Sequence, residues 1–232
     1  MQRFDAPEIL DSDACSAQDV EISMQDIGRI NRWFGGVATT EKMVERAAQV
    51  SGAKFFSLLE VAAGAGEVPQ MVRKRLARRG IALELTLLDR ARSHLSRTNC
   101  IPKSHSVVAD ALVLPFADAT FDLVSCNLFA HHLDAQQLAL FVGEGLRVSR
   151  RALLINDLVR HPLHLALAYA SFPILRSRIA WLDGLTSVRR AYVPEEIRGL
   201  ISSAFPLKTE AQIEITRNYL FRMGLILWKS AP

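Results

Sequence analysis

The strongest constraint on this chain is an alternation. Five short apolar runs, FFSLLEV (55–61), ALELTLLD (82–89), HSVVAD (105–110), TFDLVSCN (120–127) and RALLIND (151–157), read as strands. Between most of them lie helix-forming stretches: EVPQMVRKRLARRG, closed by Gly80, then RARSHLSRTN, then AQQLALFVGEGLRVS. Strands that are apolar on both sides need cover on both faces, which argues for a parallel sheet wound with helices on either side. The end of the chain departs from this rule. LKTEAQIEIT (207–216) and NYLFRMGLILWKS (218–230) are separated only by a turn around Arg217-Asn218. A parallel crossover needs a dozen or more residues, so this pair must be antiparallel. The expected fold is α/β: a doubly wound, seven-stranded sheet, mostly parallel, with a C-terminal antiparallel strand pair.

The flanking segments are helical. AQDVEISMQDIGRINRWFGG (17–36) spaces Val20, Met24, Ile27, Ile30 and Phe34 by three and four, giving one apolar face ended by Gly35-Gly36. TTEKMVERAAQVSG is a second helix that stops at Gly52. Residues 158–193 have no clean place in the sheet and are expected to form a helical cap, before a last helix, PEEIRGLISSAF (194–205). The division expected is therefore 1–52, N-terminal helices covering a ligand site, and 53–232, the sheet domain with 158–193 as its cap insertion.

Composition excludes several classes. Of 232 residues half are hydrophobic and 22% charged, which is a folded, core-forming chain. MQRFDAPEILDSD is acidic and broken by Pro7, without the apolar core of a secretory leader, and PLHLALAYASFPIL (162–175) is too short to span a bilayer. Cys15, Cys100 and Cys126 are odd in number and lack CxxC spacing, so reduced thiols of a cytoplasmic protein are expected, with no metal. The formal charge of +4 owes much to VRKRLARRG (72–80), read as a solvated helix face, so no nucleic-acid partner is expected. The oligomeric state is left open, a homodimer included.

In an open parallel sheet, ligands bind at the carboxyl ends of the strands. Here those ends carry Glu60 and the loop AAGAG (62–66), Asp89, Asp110-Ala111, Asn127 and Asn156-Asp157. Five consecutive strands thus deliver polar groups to one rim. A dinucleotide fingerprint, G-x-G-x-x-G, fails in both registers: Pro69 takes the third glycine's place in one, and Glu67 would sit beside a phosphate in the other. The ligand expected has no phosphates and is reached by backbone at Gly64 and Gly66.

The layout over 55–157 and the terminal pair resembles the class I S-adenosylmethionine-dependent methyltransferases, whose sheet is Rossmann-like. The family's first motif, an acid followed by x-G-x-G-x-G, is similar to E-V-A-A-G-A-G, which keeps Glu60, Gly64 and Gly66 but has Ala62 at the first glycine. The resemblance places Asp89, with Arg90 after it, at the ribose hydroxyls, where a carboxylate can accept two hydrogen bonds from a diol. It places Asp110 and Ala111 near the adenine and Asn127 by the methionine part. VVADALVLPFADATFDLVSCN is similar to the signature of small-molecule methyltransferases related to quinone-biosynthesis enzymes, and INDLVRHP with SVRRAYVPEEI resembles those of bacterial secondary metabolism. The cofactor implied is S-adenosylmethionine, with S-adenosylhomocysteine as product.

The activity implied is transfer of a methyl group to a small hydrophobic acceptor, aromatic or polyketide- or quinone-like, by in-line O-methylation. An O-methyltransferase gains from a base near a phenol of pKa about 10. The candidates are His131, His132 and His161, with Asp157 to orient a histidine. Phe34, Trp33, His164, Tyr169 and Trp181 are the candidate acceptor contacts, Trp33 or Phe34 also being able to face a sulfonium. Two other readings stay open: carbon methylation of the quinone type, and a non-catalytic cofactor-binding partner protein on the same scaffold, for which Ala62 is the only support.

Overall fold

The computed structural model describes residues 1–4, 6–11, 15–95, 104–205 and 212–229. Strands β1 (Phe55–Val61), β2 (Ala82–Asp89), β3 (Ser104–Val108), β4 (Phe121–Asn127) and β5 (Ser149–Leu158) run parallel, and β6 (Ile213–Asn218) and β7 (Arg222–Trp228) complete the sheet. The order is β3-β2-β1-β4-β5-β7-β6, and β7 is antiparallel to both its neighbours. The chain winds outward from β1 to β3 and then returns to β4, so the winding reverses between β1 and β4. Their register pairs Glu60 with Ser125, which sets the carboxyl ends of these two strands side by side.

Strand alternation gives each face its own core. Phe56 and Leu58 of β1 pack with α2 (Gly36–Ser51) and α3 (Glu67–Ala77), whereas Leu59 and Val61 join α5 (Ala135–Val148) and α8 (Pro194–Ala204). Each such fully buried side chain contributes about 1.5–3 kcal/mol. Asp134 and Gln137 form a reciprocal capping box that starts α5 directly after the β4 loop. The arginines of the basic stretch turn to α2: Arg75 pairs with Glu41, and Arg79 with Glu41 and Glu45.

α1 (Ala17–Trp33) and α2 meet at Gly35, whose φ of 80° turns the chain, so α2 begins at Gly36, earlier than TTEK predicts. The expected apolar face of α1 is only half-buried; its fully buried residues are Ser23, Asp26, Gly28 and Asn31. Gly28 packs α1 against the Glu67 carboxylate at the start of α3. The short α4 (Arg92–Leu95) follows β2, and 96–103, Cys100 included, lies outside the described residues. Residues 158–193 form α6 (Pro162–Ala170), a 3-10 turn and α7 (Arg178–Arg190). The terminal turn is not at Arg217-Asn218. Those residues still pair with Met223 and Arg222, and the chain reverses through Tyr219–Phe221, with Leu220 and Phe221 at positive φ. The part of the predicted strand over 207–211 lies outside the described residues.

Candidate functional site

The loop after β1 is held by backbone bonds. Ala63 N–H donates to Leu88 O at 2.9 Å, and Gly66 N–H to Ala63 O at 2.8 Å. Ala62, Gly64 and Gly66 all have positive φ, of 53°, 54° and 69°. Asp89 closes β2 beneath them. One of its oxygens accepts the Gly64 N–H and the other the Ala91 N–H, each at 2.9 Å. Burial alone would raise its pKa, but His94 and these amides hold it below the usual range, so Asp89 is ionised.

Glu60 is fully buried and accepts from Ser125 and from Asn127 Nδ2. Burial outweighs these bonds and pushes its pKa up to about 7. The network runs on: Asn127 Oδ1 accepts from Thr40 Oγ1 at 2.8 Å and Asn156 Nδ2 at 2.7 Å. Arg222 then donates to Asn31 Oδ1 at 2.6 Å and to Asn156 Oδ1 at 3.4 Å. Burial lowers the Arg222 pKa to about 10, against the attraction of Asp157. Glu60, Asn127 and Arg222 line one side of a cavity of about 1130 Å3, which Met24, Ile27, Ile30 and Phe34 of the first helical segment close from above. The apolar face of α1 therefore looks into a cavity rather than into the core.

His131 also lines the cavity. Its Nδ1 is 2.7 Å from Asp157 Oδ1, and its backbone N–H donates to Asp157 Oδ2 at 2.9 Å. With Nδ1–H given to the carboxylate, Nε2 carries the lone pair of the neutral ring. Nε2 is buried without a hydrogen bond, 3.3 Å from Glu8 Oε1. Burial would lower the His131 pKa, but Asp157 and Glu8 together lift it to about 9. Glu8, His131 and His132 bring one ligand-type atom each within 4.8 Å of one another. The two ring nitrogens of His131 face two carboxylates, Asp157 at 2.7 Å and Glu8 at 3.3 Å.

Comparisons with known proteins bear on what this rim does. Residues 59–152 match the family model described as a methyltransferase domain. The chain carries a methyltransferase domain and is a transferase. A comparison with curated proteins finds no match. Among solved structures the chain is similar to the plantazolicin methyltransferase BpumL, in complex with a monoazolic desmethylPZN analog and SAH, at 14% identity and a TM-score of 0.70 over 90% of this chain and 89% of that one. It is similar to a SAM-dependent methyltransferase from Aquifex aeolicus, at 14% identity and a TM-score of 0.60 over 91% and 98%. An O-methyltransferase family 2 protein from Planctomyces limnophilus, in complex with apigenin, aligns at 18% identity and a TM-score of 0.60 over 94% and 63%. These likenesses establish the fold of the methyltransferases, and the loop and acids described above are consistent with S-adenosylmethionine as cofactor.

Within this methyltransferase domain the cavity gathers most of the residues singled out by sequence. Glu60, Ala62, Gly64, Asp89, Arg90, Asp110, Ala111 and Asn127 line it, as do Phe34, His131, His132, His164 and Trp181. Five of the expected site residues do not line it. Gly66 is spent capping α3. Trp33 points outward, 56% exposed, because it precedes Phe34 by one residue, which on a helix is a rotation of about 100°. Tyr169 is exposed and accepts from Arg189. His161 caps α6, accepting the Leu163 N–H at 3.1 Å, and stacks on Phe221, outside the cavity lining. Asp157 lies behind His131, orienting it without lining the cavity. His164 donates its Nδ1–H to Val159 O at 3.0 Å, and its pKa is lowered, first by burial.

The roles of four residues were missed by sequence. Glu8 and Asp11 belong to an acidic N-terminal stretch with no periodic signal, yet both face His131 or His132. Asn156 was seen as a strand end but not as the link between Asn127 and Arg222. Arg222 did leave a signal: a single charge opens the otherwise apolar run RMGLILW.

Proposed function

We propose that this protein transfers the methyl group of S-adenosylmethionine to a hydroxyl of a small hydrophobic acceptor, aromatic or polyketide- or quinone-like, as in secondary metabolism. The observation that carries the reading is the His131–Asp157 pair, which turns a buried Nε2 toward the Glu8 carboxylate, 3.3 Å away, at the wall of the cavity. The donor fits the residues present. A Cβ at Gly64 would meet only Met24 Sδ, at 3.9 Å, so backbone is open to the ligand there. Asp89 is ionised and suits a diol, and Glu60 and Asn127 are polar groups for the amino-acid end. When bound, S-adenosylmethionine supplies an electrophilic methyl group on a cationic sulfur.

The chain's own residues would do the rest. The acceptor hydroxyl enters at Nε2, in the place Glu8 occupies, and gives its proton to that nitrogen. Its oxygen is then free to take up the methyl. Asp157 holds the ring in the tautomer that accepts there and stabilises the imidazolium formed. Met24, Ile27 and Phe34 exclude water, and positioning in a dry site supplies much of the acceleration. In this reading α1 and α2 cover the donor, and residues 158–193 enclose the acceptor through His164, Leu167 and Trp181.

The test is to incubate the protein with methyl-labelled S-adenosylmethionine and a panel of phenols, naphthols and polyketide-like acids, and to locate the label by mass spectrometry. Label on oxygen, lost in His131→Asn while donor binding persists, supports the reading. Label on carbon, or a His131→Asn variant as active as wild type, would refute it.

A further inference from the structure

α6 reads PLHLALAYA, without a single charged residue. A helix apolar on all sides normally sits inside a protein, yet no residue of α6 is buried. Leu167, Ala168 and Ala170 wall the cavity, while Leu163 is 55% exposed on the outside. The 3-10 turn that follows adds Phe172 and Ile174, both exposed. Phe172 and Tyr169 meet Trp181 edge-on, at 4.8 and 6.2 Å, so they share one surface.

The surface continues at the other end of the helix. His161 and His164 stack on Phe221, in the turn whose Tyr219 is 68% exposed. Tyr219 in turn lies against Gly35, two residues after the exposed Trp33. An apolar ridge from Trp33 through Tyr219 and Leu163 to Ile174 thus borders the cavity, which Phe34, Leu220, Phe221 and Leu167 line from within.

The charge on this ridge has one sign. Residues 158–182 contain no acid, and their exposed charges are Arg176 and Arg178, with Arg32 beside Trp33. The acids packed nearest are occupied: Asp26 is buried and takes the Arg176 and Ser177 N–H groups, Asp183 takes those of Ile9 and Leu10, and Glu195 pairs with Arg217. Across a twofold axis Arg176 and Arg178 would face like charges, which disfavours a second copy as the cover. Exposed aliphatic and aromatic groups set among arginines fit a lipid headgroup layer.

We infer that this ridge docks on the surface of an anionic lipid bilayer, with Trp33, Tyr219, Leu163 and Phe172 at the acyl boundary and Arg32, Arg176 and Arg178 at the phosphates. The cavity mouth then opens toward the membrane. No described helix is long and apolar enough to cross it. Docking does not depend on which molecule is methylated.

Flotation of the full chain with phosphatidylcholine vesicles, with and without phosphatidylglycerol, tests this. Binding is expected to the anionic vesicles only, weakened by salt. It should fall about fivefold for each arginine neutralised in Arg176→Gln and Arg178→Gln, and be lost in Leu163→Asp/Tyr219→Asp. Calorimetric binding of S-adenosylhomocysteine at wild-type affinity shows that each variant is folded. If wild type floats but binds no S-adenosylhomocysteine, docking stands and the donor reading falls. A folded wild type that ignores anionic vesicles overturns the proposal. So does a solution dimer that Leu163→Asp/Tyr219→Asp dissociates, since a second copy would then be the cover.

Discussion

His131 is bound twice by Asp157: its ring Nδ1 lies 2.7 Å from one carboxylate oxygen, and its backbone N–H donates to the other. The carboxylate thus fixes the ring's tautomer and the start of the segment that carries it. Asp157→Asn keeps the shape but can offer an N–H to Nδ1, which would turn the donor side of the ring toward the acceptor. Turnover should fall by about a hundredfold or more, with S-adenosylmethionine affinity little changed. Steady-state kinetics beside calorimetry would show it; equal loss of donor affinity would mean that Asp157 serves only the fold.

The second carboxylate on His131 sets a pH dependence. Against burial, Asp157 and Glu8 lift His131 to about 9, above its ordinary 6.5. The native state therefore favours the proton: this contribution to stability is complete below about 6.5 and is lost as the pH rises through about 9. Activity has the opposite sign, since only the neutral ring can accept a proton. The rate at low acceptor concentration should climb as the pH approaches about 9. In Glu8→Gln one attractive charge is gone, so the same rise should come at lower pH. A profile unmoved by Glu8→Gln would separate Glu8 from the base.

Glu60 gives a different signature, on the donor side. Burial raises it to about 7 from 4.5. Its native proton stabilises the fold fully below about 4.5, and that stability is lost as the pH rises through about 7. A cationic ligand favours the carboxylate, so S-adenosylmethionine should bind about tenfold more tightly at about pH 8 than at about pH 6, releasing a proton in the acid range. Titrations in buffers of different ionisation enthalpy measure that proton directly. Glu60→Gln should bind with no such slope; a wild-type affinity that is flat with pH would place the ligand's charge elsewhere.

What was legible in the sequence follows from the range of each signal. Strands β1 and β2 have the bounds their apolar runs predict, because local alternation and flanking breakers specify them. Glu60, Asp89 and Asn127 could be placed together at the cavity because a parallel sheet puts its carboxyl ends on one rim. Glu8 was not found, since its contact with His131 spans most of the chain and leaves no pattern near either residue. His161 and Trp33 were misplaced for a related reason. Composition suggests an aromatic site, but whether a ring faces the cavity depends on one step of helix rotation or on the first turn of α6. The terminal turn moved because Leu220 and Phe221 accept positive φ without the glycine or asparagine that marks such turns.

Ala62 carries the last prediction. It occupies the place of the first glycine in the loop motif, and its φ of 53° lies in the left-handed region. A Cβ there costs about 1–2 kcal/mol. Replacing it by glycine removes that strain but loosens the unfolded chain, at about 0.4–1 kcal/mol. Ala62→Gly should therefore stabilise the protein by about 0.5–1 kcal/mol net, a rise in Tm of about 1–4 °C. Because Ala63 N–H still ties the loop to Leu88 O, the backbone path should be unchanged, and S-adenosylmethionine affinity should stay equal or improve. Differential scanning calorimetry with and without donor tests both parts. A lower Tm would mean that the Ala62 methyl group contributes packing that outweighs its strain, and weaker donor binding would mean that the methyl group itself shapes the pocket.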